Sequence, residues 1–155
     1  MQGDQRVLEQ INKLIALEMG AIAEYAAHQA YASNWGLSKL AGKTMARARA
    51  EMGHLDKLLD RMLLLDGLPD VTVLGPITVG PTVPAQHAAD LRSESTAIVA
   101  YRSAIIVATQ AGDAASALLF EQILTDEEGH ASDLEAELDQ LQMMGLGPYL
   151  AEQIG

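Results

Sequence analysis

The sequence predicts an all-α fold: an antiparallel four-helix bundle with one long crossover and a short fifth helix at the C-terminus. Three observations carry this expectation. Four long stretches repeat apolar residues at threes and fours, the period of a helix. Between the second and third stretches lies a connection over residues 66–83, long enough to run back along the whole bundle. The composition is 49% apolar, rich in Ala, Leu, Ile and Val, with only one Trp, one Phe and four Tyr, a mix that suits helices better than a sheet sandwich. At 155 residues the chain suits a single domain with its own core.

The first helix is expected over residues 4–34, with Val7, Ile11, Leu14, Ile22 and Tyr25 as its apolar stripe and Glu18 inside that stripe. Gly36 can end it and Ser38 can cap the next helix. So short a turn makes the first two helices antiparallel neighbours. The second helix, residues 39–65, carries Ala48, Leu55, Leu58, Met62 and Leu65, with Glu51 in the stripe. Asp66-Gly67-Leu68-Pro69 stops it. The crossover that follows holds Gly75-Pro76 and Gly80-Pro81, and its length allows the second and third helices to run parallel.

The third helix, residues 84–110, has Leu91, Ile98, Tyr101, Ile105 and Ala108 on one face, with Glu94 among them. Gly112-Asp113 makes the next break, and Asp113 is a suitable N-cap. The fourth helix, residues 113–144, aligns Phe120, Ile123, Leu134, Leu138 and Leu141 with Glu127. Gly145 and Gly147-Pro148 interrupt it, leaving residues 148–154 as a fifth helix.

Charge and composition exclude several functions. A net charge of −11 argues against nucleic-acid binding through a basic surface. The absence of Cys removes disulfides, iron–sulfur clusters and thiol chemistry. The opening Met1-Gln2-Gly3-Asp4-Gln5-Arg6 is polar and lacks a signal-peptide core. No apolar run approaches the ~18 residues needed to span a bilayer. A cytoplasmic protein without membrane partners is expected.

An internal repeat carries the chemistry. Glu51-Met52-Gly53-His54 and Glu127-Glu128-Gly129-His130 stand 130 − 54 = 76 residues apart. Glu18 precedes the first by 51 − 18 = 33 residues, and Glu94 precedes the second by 127 − 94 = 33. Tyr25 and Tyr101 keep the same 76-residue offset. Positions three apart share a helix face, so each Glu points the same way as its His. A Glu from each of two helices plus Glu-x-x-His from the other two is a ligand set for a metal pair inside a bundle. Four buried carboxylates are tolerable only with compensating charge. Two divalent cations supply it, and carboxylate with imidazole and no sulfur suits iron or manganese and also tolerates zinc. Glu18, Glu51, His54, Glu94, Glu127 and His130 are therefore the expected metal ligands, with Glu51 and Glu127 as bridges and Glu18 and Glu94 as terminal ligands.

Other residues carry weaker signals. His28 and His87 fall outside the repeat and read as surface or packing residues. Tyr25 and Tyr101 read as core residues with satisfied hydroxyls, as hydrogen-bond donors to the ligands, or as electron donors. Asp126 and Glu128 turn about 100° away from Glu127 and read as surface. Met52 leaves the ligand face and, with Met45, reads as interface or filler.

Glu18, Glu51-Met-Gly-His54, Glu94 and Glu127-Glu-Gly-His130 together resemble bacterioferritin, the haem-containing ferritin of bacteria. The resemblance extends to Met1-x-Gly3-Asp4, Asn34-Trp35-Gly36-Leu37, Asp66-Gly67-Leu68-Pro69 and Met144-Gly145-Leu146, and so covers the whole chain. One long crossover is also the connectivity of ferritin-like bundles. The resemblance implies a homo-oligomeric hollow shell of about 24 subunits storing a ferric mineral. It implies that the six residues form a di-iron ferroxidase centre, both catalytic and metal-binding, that oxidises Fe²⁺ with O₂ or H₂O₂. It implies that Met52 ligates haem b at a twofold interface, and that the haem relays electrons from a ferredoxin-type donor to release iron. The competing reading is a small di-iron and haem peroxidase or electron-transfer protein without a mineral core. Ala46 and Ala50 depart from members with iron-binding groups on the cavity wall, and Leu58 and Asp133 replace aromatics. Arg47 and Arg49 are unusual so near an iron cavity; Arg49 is placed at the haem interface or in a surface ion pair.

Overall fold

A computed structural model describes residues 1–155 of the chain. It contains α1 (Gln5–Asn34), α2 (Ser38–Leu64), α3 (Val83–Gln110), α4 (Ala114–Met144) and α5 (Leu146–Glu152), and no strand. Local chemistry accounts for most of the ends. The Asp4 side chain caps α1 by accepting from the Arg6 N–H at 2.8 Å, and Asp113 caps α4 by accepting from the Ser116 N–H at 3.0 Å. Thr82 caps α3, with Pro84 in the first turn where its missing N–H costs nothing. Gly36 takes φ 76° after α1, a conformation natural to glycine.

Two ends differ from expectation. Ser38 does not cap α2: Leu37 holds the cap position with no side-chain bond. A free α2 N–H is satisfied instead by the C-terminal segment, where Lys39 N donates to the Gln153 carbonyl at 3.0 Å. The α5 helix begins at Leu146 rather than after Pro148, because Gly145 alone, with φ 82°, makes the break. Pro148 then sits in the first turn and is tolerated there.

The crossover decides the topology. It lies along α1: Asp70 N donates to Asn12 at 2.9 Å, Gly75 N to the Ala16 carbonyl at 2.6 Å, Thr78 N to Glu24 at 2.7 Å and Gly80 N to His28 Nε2 at 3.0 Å. The chain thus returns to the end where α1 finished before α3 begins. The α3 helix runs antiparallel to α1 and parallel to α2. Contact with α1 is close at one point, where a Cβ on Gly75 would lie 3.0 Å from Ala16 O and Leu17 Cα. Only a glycine lets the two backbones approach so nearly.

The buried interior is segmented along the bundle axis. One apolar cluster, which includes Val7, Ile11, Leu58, Met62, Tyr101 and Phe120, fills one end. A second, with Ala32, Leu37, Leu40, Val83 and Tyr149, closes the other. Between them Glu18, Glu51, His54, Glu94 and Glu127 are buried, as are His28, Arg47, His87 and Asp90. Ile22, expected in the core, is only half-buried because its neighbours Glu24 and Tyr25 take the inward positions.

Candidate metal centre

Each of the four long helices turns the expected side chains inward at one level. Glu18 comes from α1, Glu51 and His54 from α2, Glu94 from α3, and Glu127 and His130 from α4. The four carboxylates and His54 are at most 3% exposed, while His130 is the most open of the six. They form two overlapping groups, Glu18–Glu51–His54–Glu127 and Glu51–Glu94–Glu127–His130, with one ligand atom from each residue within 4.8 Å of the others. Glu51 and Glu127 belong to both groups. In both imidazoles Nδ1 faces the carboxylates. His54 Nδ1 lies 2.9 Å from Glu51, 3.0 Å from Glu127 and 3.8 Å from Glu18. His130 Nδ1 lies 3.0 Å from Glu51, 3.3 Å from Glu127 and 3.6 Å from Glu94.

The electrostatics fit a cation pair. Burial, joined by the negative Glu51 and Glu127, raises the Glu94 carboxyl to about 8 against the opposing pull of the nearby His130 ring. Glu18 is also raised well above its ordinary value, chiefly by burial. Burial opposes charge on His130, but Glu127, Glu51 and Glu94 outweigh it and raise the ring to about 12. The same contest raises His54. Burial likewise opposes charge on Glu127, yet the His130 and His54 rings beside it hold it below the usual carboxylate range. Protons on these groups stand in for metal charge.

Unsatisfied atoms make the same point. Glu51 Oε1, both Glu127 oxygens and His130 Nδ1 are enclosed without a hydrogen-bond partner. Buried polar atoms are almost always paired, so four such atoms converging on one point mark a place for a ligand. An all-oxygen-and-imidazole donor set fits iron or manganese.

The surrounding shell contains contacts that sequence reasoning missed. Asp126, read as a surface residue, is half-exposed but places Oδ2 3.1 Å from His54 Nε2. Its side of α4 turns toward α2, so the rotation that removes it from its own ligand face delivers it to the neighbouring helix's histidine. Its position next to Glu127 was the available signal. The two tyrosines cross over: Tyr25 of α1 donates to Glu94 of α3, and Tyr101 of α3 donates to Glu18 of α1. Antiparallel register requires this, since 25 + 94 = 18 + 101.

The remaining candidates lie apart. Met52 is 54% exposed on the outer side of α2 and does not join the carboxylate cluster. Arg49 is exposed. Glu128 pairs on the surface with Arg102 at 2.7 Å. His28 and His87 are packing residues with satisfied rings. His28 bonds Asp90 at 2.7 Å as well as Gly80, and His87 bonds the Tyr149 hydroxyl at 2.9 Å. A cavity of about 500 Å³ opens beside His130, between α2 and α4.

Comparison with known proteins points the same way. Residues 8–144 match the family model of the ferritin-like domain. The chain is 39% identical to the bacterioferritin of Mycolicibacterium paratuberculosis over 98% of its own length and 96% of that protein's. It is 37% identical to bacterioferritin BfrA of Mycobacterium tuberculosis, over 98% and 96% of the two chains. Among solved structures, M. tuberculosis BfrA superposes with a TM-score of 0.98 at 36% identity, covering 100% of this chain and 98% of that one. The Rhodobacter capsulatus bacterioferritin, described with a metal-free dinuclear site and a haem iron on a crystallographic special position, gives 0.98 at 34% identity, covering 100% and 97%.

Proposed function

The chain belongs to the bacterioferritin family of ferritin-like iron-storage proteins, and from that premise we propose that it is a ferroxidase whose catalytic residues are Glu18, Glu51, His54, Glu94, Glu127 and His130. The observation that carries this reading is the pair of overlapping three-carboxylate, one-imidazole groups that share Glu51 and Glu127. Fe²⁺ is the substrate. The first group holds one ion and the second holds another, with Glu51 and Glu127 common to both. Their hard oxygen donors favour Fe³⁺ over Fe²⁺, which assists oxidation by O₂ or H₂O₂. Neutral imidazoles complete each shell, and apolar clusters pack above and below the centre, which opens sideways beside His130.

The product is stored as a mineral inside a shell of identical subunits. With 24 copies of 16.5 kDa the particle has a mass of about 400 kDa, and its location is cytoplasmic. Met52 is the proposed haem b ligand. Its thioether is exposed, a soft ligand free to meet the same residue of a second copy across a twofold axis. Bound there, haem would supply a one-electron relay between a ferredoxin-type donor and the stored iron.

Anaerobic Fe²⁺ titration followed by oxygen tests the centre. About two Fe²⁺ per subunit bind before the fast oxidation phase. Glu51→Ala and His130→Ala each abolish that phase; a fast phase of wild-type size in both variants refutes the assignment. Met52→Leu loses haem absorbance while retaining iron oxidation. A small oligomer in place of the large particle would favour a peroxidase without a mineral.

A further inference from the structure

We propose that the cavity between α2 and α4, walled by Arg47, is a binding site for a small oxyanion next to the metal centre. One buried charge in the bundle lacks a partner. Arg47 is only 8% exposed, and its Nη1 is enclosed without a hydrogen-bond partner. Of the other guanidiniums, Arg6 pairs with Asp4, Arg61 with Asp113 and Arg102 with Glu128, while Arg49 and Arg92, which have no counter-ion, are exposed to water. Arg47 has no carboxylate within ion-pair distance. A buried cation without a counter-ion is among the least favourable arrangements in a protein.

Neither acid of the cavity pairs with Arg47. Glu137 lines the same cavity, but Lys43 Nζ takes its Oε1 at 2.6 Å and the Tyr149 hydroxyl takes its Oε2. Tyr149 in turn bonds His87. Asp133, the remaining acid, is exposed at the rim. The cavity therefore presents Arg47 as its one cation without a counter-ion, beside the mutually paired Lys43 and Glu137, with Gln140 also on its wall, in about 500 Å³. A guanidinium fork matches the oxygen spacing of phosphate-like and carboxylate-like anions. The unpaired guanidinium, with Glu137 already held by Lys43 and Tyr149, makes the space unsuited to a second metal cation. Because His130 lies on the cavity wall, an anion held there sits beside the metal centre.

This site depends on Arg47 and not on iron, so it is tested in metal-free assembled protein with inorganic phosphate as probe. Calorimetric titration at constant ionic strength is expected to show saturable binding. Arg47→Gln weakens it by at least about tenfold, the loss of a charge-assisted hydrogen bond. Asp133→Asn, which removes the rim's negative charge, tightens it. Absence of saturable binding overturns the proposal, as does unchanged affinity in Arg47→Gln or weaker binding in Asp133→Asn. Should Arg47→Gln fail to assemble, tungstate soaked into wild-type crystals decides the matter by its anomalous signal. A peak at Arg47 supports the site. An empty cavity, or a carboxylate of a second copy on Arg47, overturns it.

Discussion

Asp126 Oδ2 stands 3.1 Å from His54 Nε2, and the position 126 − 76 = 50 that would serve His130 in the same way is Ala50. The internal repeat therefore produces two imidazoles with unequal support. His54 is pinned through its outer nitrogen, which leaves Nδ1 oriented toward the carboxylates. His130 lacks such a partner and is the more exposed ring.

Asp126→Ala should accordingly weaken divalent metal binding at the centre by at least about tenfold, the usual cost of losing a carboxylate behind a ligating histidine. Asp126→Asn keeps an acceptor oxygen and should lose less. Competitive Co²⁺ titration against a coloured chelator measures both. Equal affinities in wild type and Asp126→Ala would remove Asp126 from the site.

Metal loading should release protons. The metal-free centre favours protons at neutral pH on His130, raised to about 12, on the raised His54 and on Glu94, raised to about 8, and burial shifts Glu18 in the same direction. Two divalent cations replace that charge, so about three protons or more per subunit should leave at pH 7. The sign follows directly: protons compete with metal, so affinity rises with pH, and the Glu94 proton ceases to contribute as pH passes about 8. An anaerobic pH-stat titration with Zn²⁺ or Fe²⁺ reads the number.

Tyr101→Phe removes the donor to Glu18, and Tyr25→Phe removes the donor to Glu94. Each leaves a buried carboxyl short of one partner. We expect a loss of about 1–3 kcal/mol in the metal-free protein, seen as a lower denaturation midpoint. Metal loading should narrow the gap, since a bound cation satisfies the same oxygens.

The crossover depends on His28. Its Nε2 accepts from Gly80 N–H, so Nδ1 carries the proton donated to Asp90. His28→Ala strands both Gly80 N–H and a buried carboxylate, and should cost at least about 2 kcal/mol. Faster backbone amide exchange in residues 70–82 should accompany the loss, with the four long helices retained. Unchanged exchange there would mean that Asn12, Ala16 and Glu24 hold the crossover without it.

Helix periodicity, the long connection and the 76-residue repeat were all legible in the chain. Glu-x-x-His needs only the geometry of one helix to place both side chains on one face, so Glu51 with His54 and Glu127 with His130 could be paired without knowing any neighbour. Caps were legible where a side chain makes them, as at Asp113. They were not where distant backbone does the work, as when Gln153 satisfies the start of α2 in place of Ser38. Asp126 was misread because a rotation of about 100° from Glu127 says which face of α4 it leaves, and not which helix that new face meets.

Sequence by itself determined that this is a helical bundle with a single long crossover and that Glu18, Glu51, His54, Glu94, Glu127 and His130 turn toward one level of its interior, because both follow from spacing along one chain. Tertiary structure alone decided that Tyr25 serves Glu94 and Tyr101 serves Glu18, that Asp126 steadies His54, that His28 ties the crossover to α3, and that Arg47 is enclosed without a counter-ion. Those relationships depend on which helices lie side by side, at what rotation and in what register, and no periodicity within one segment encodes the partner supplied by another.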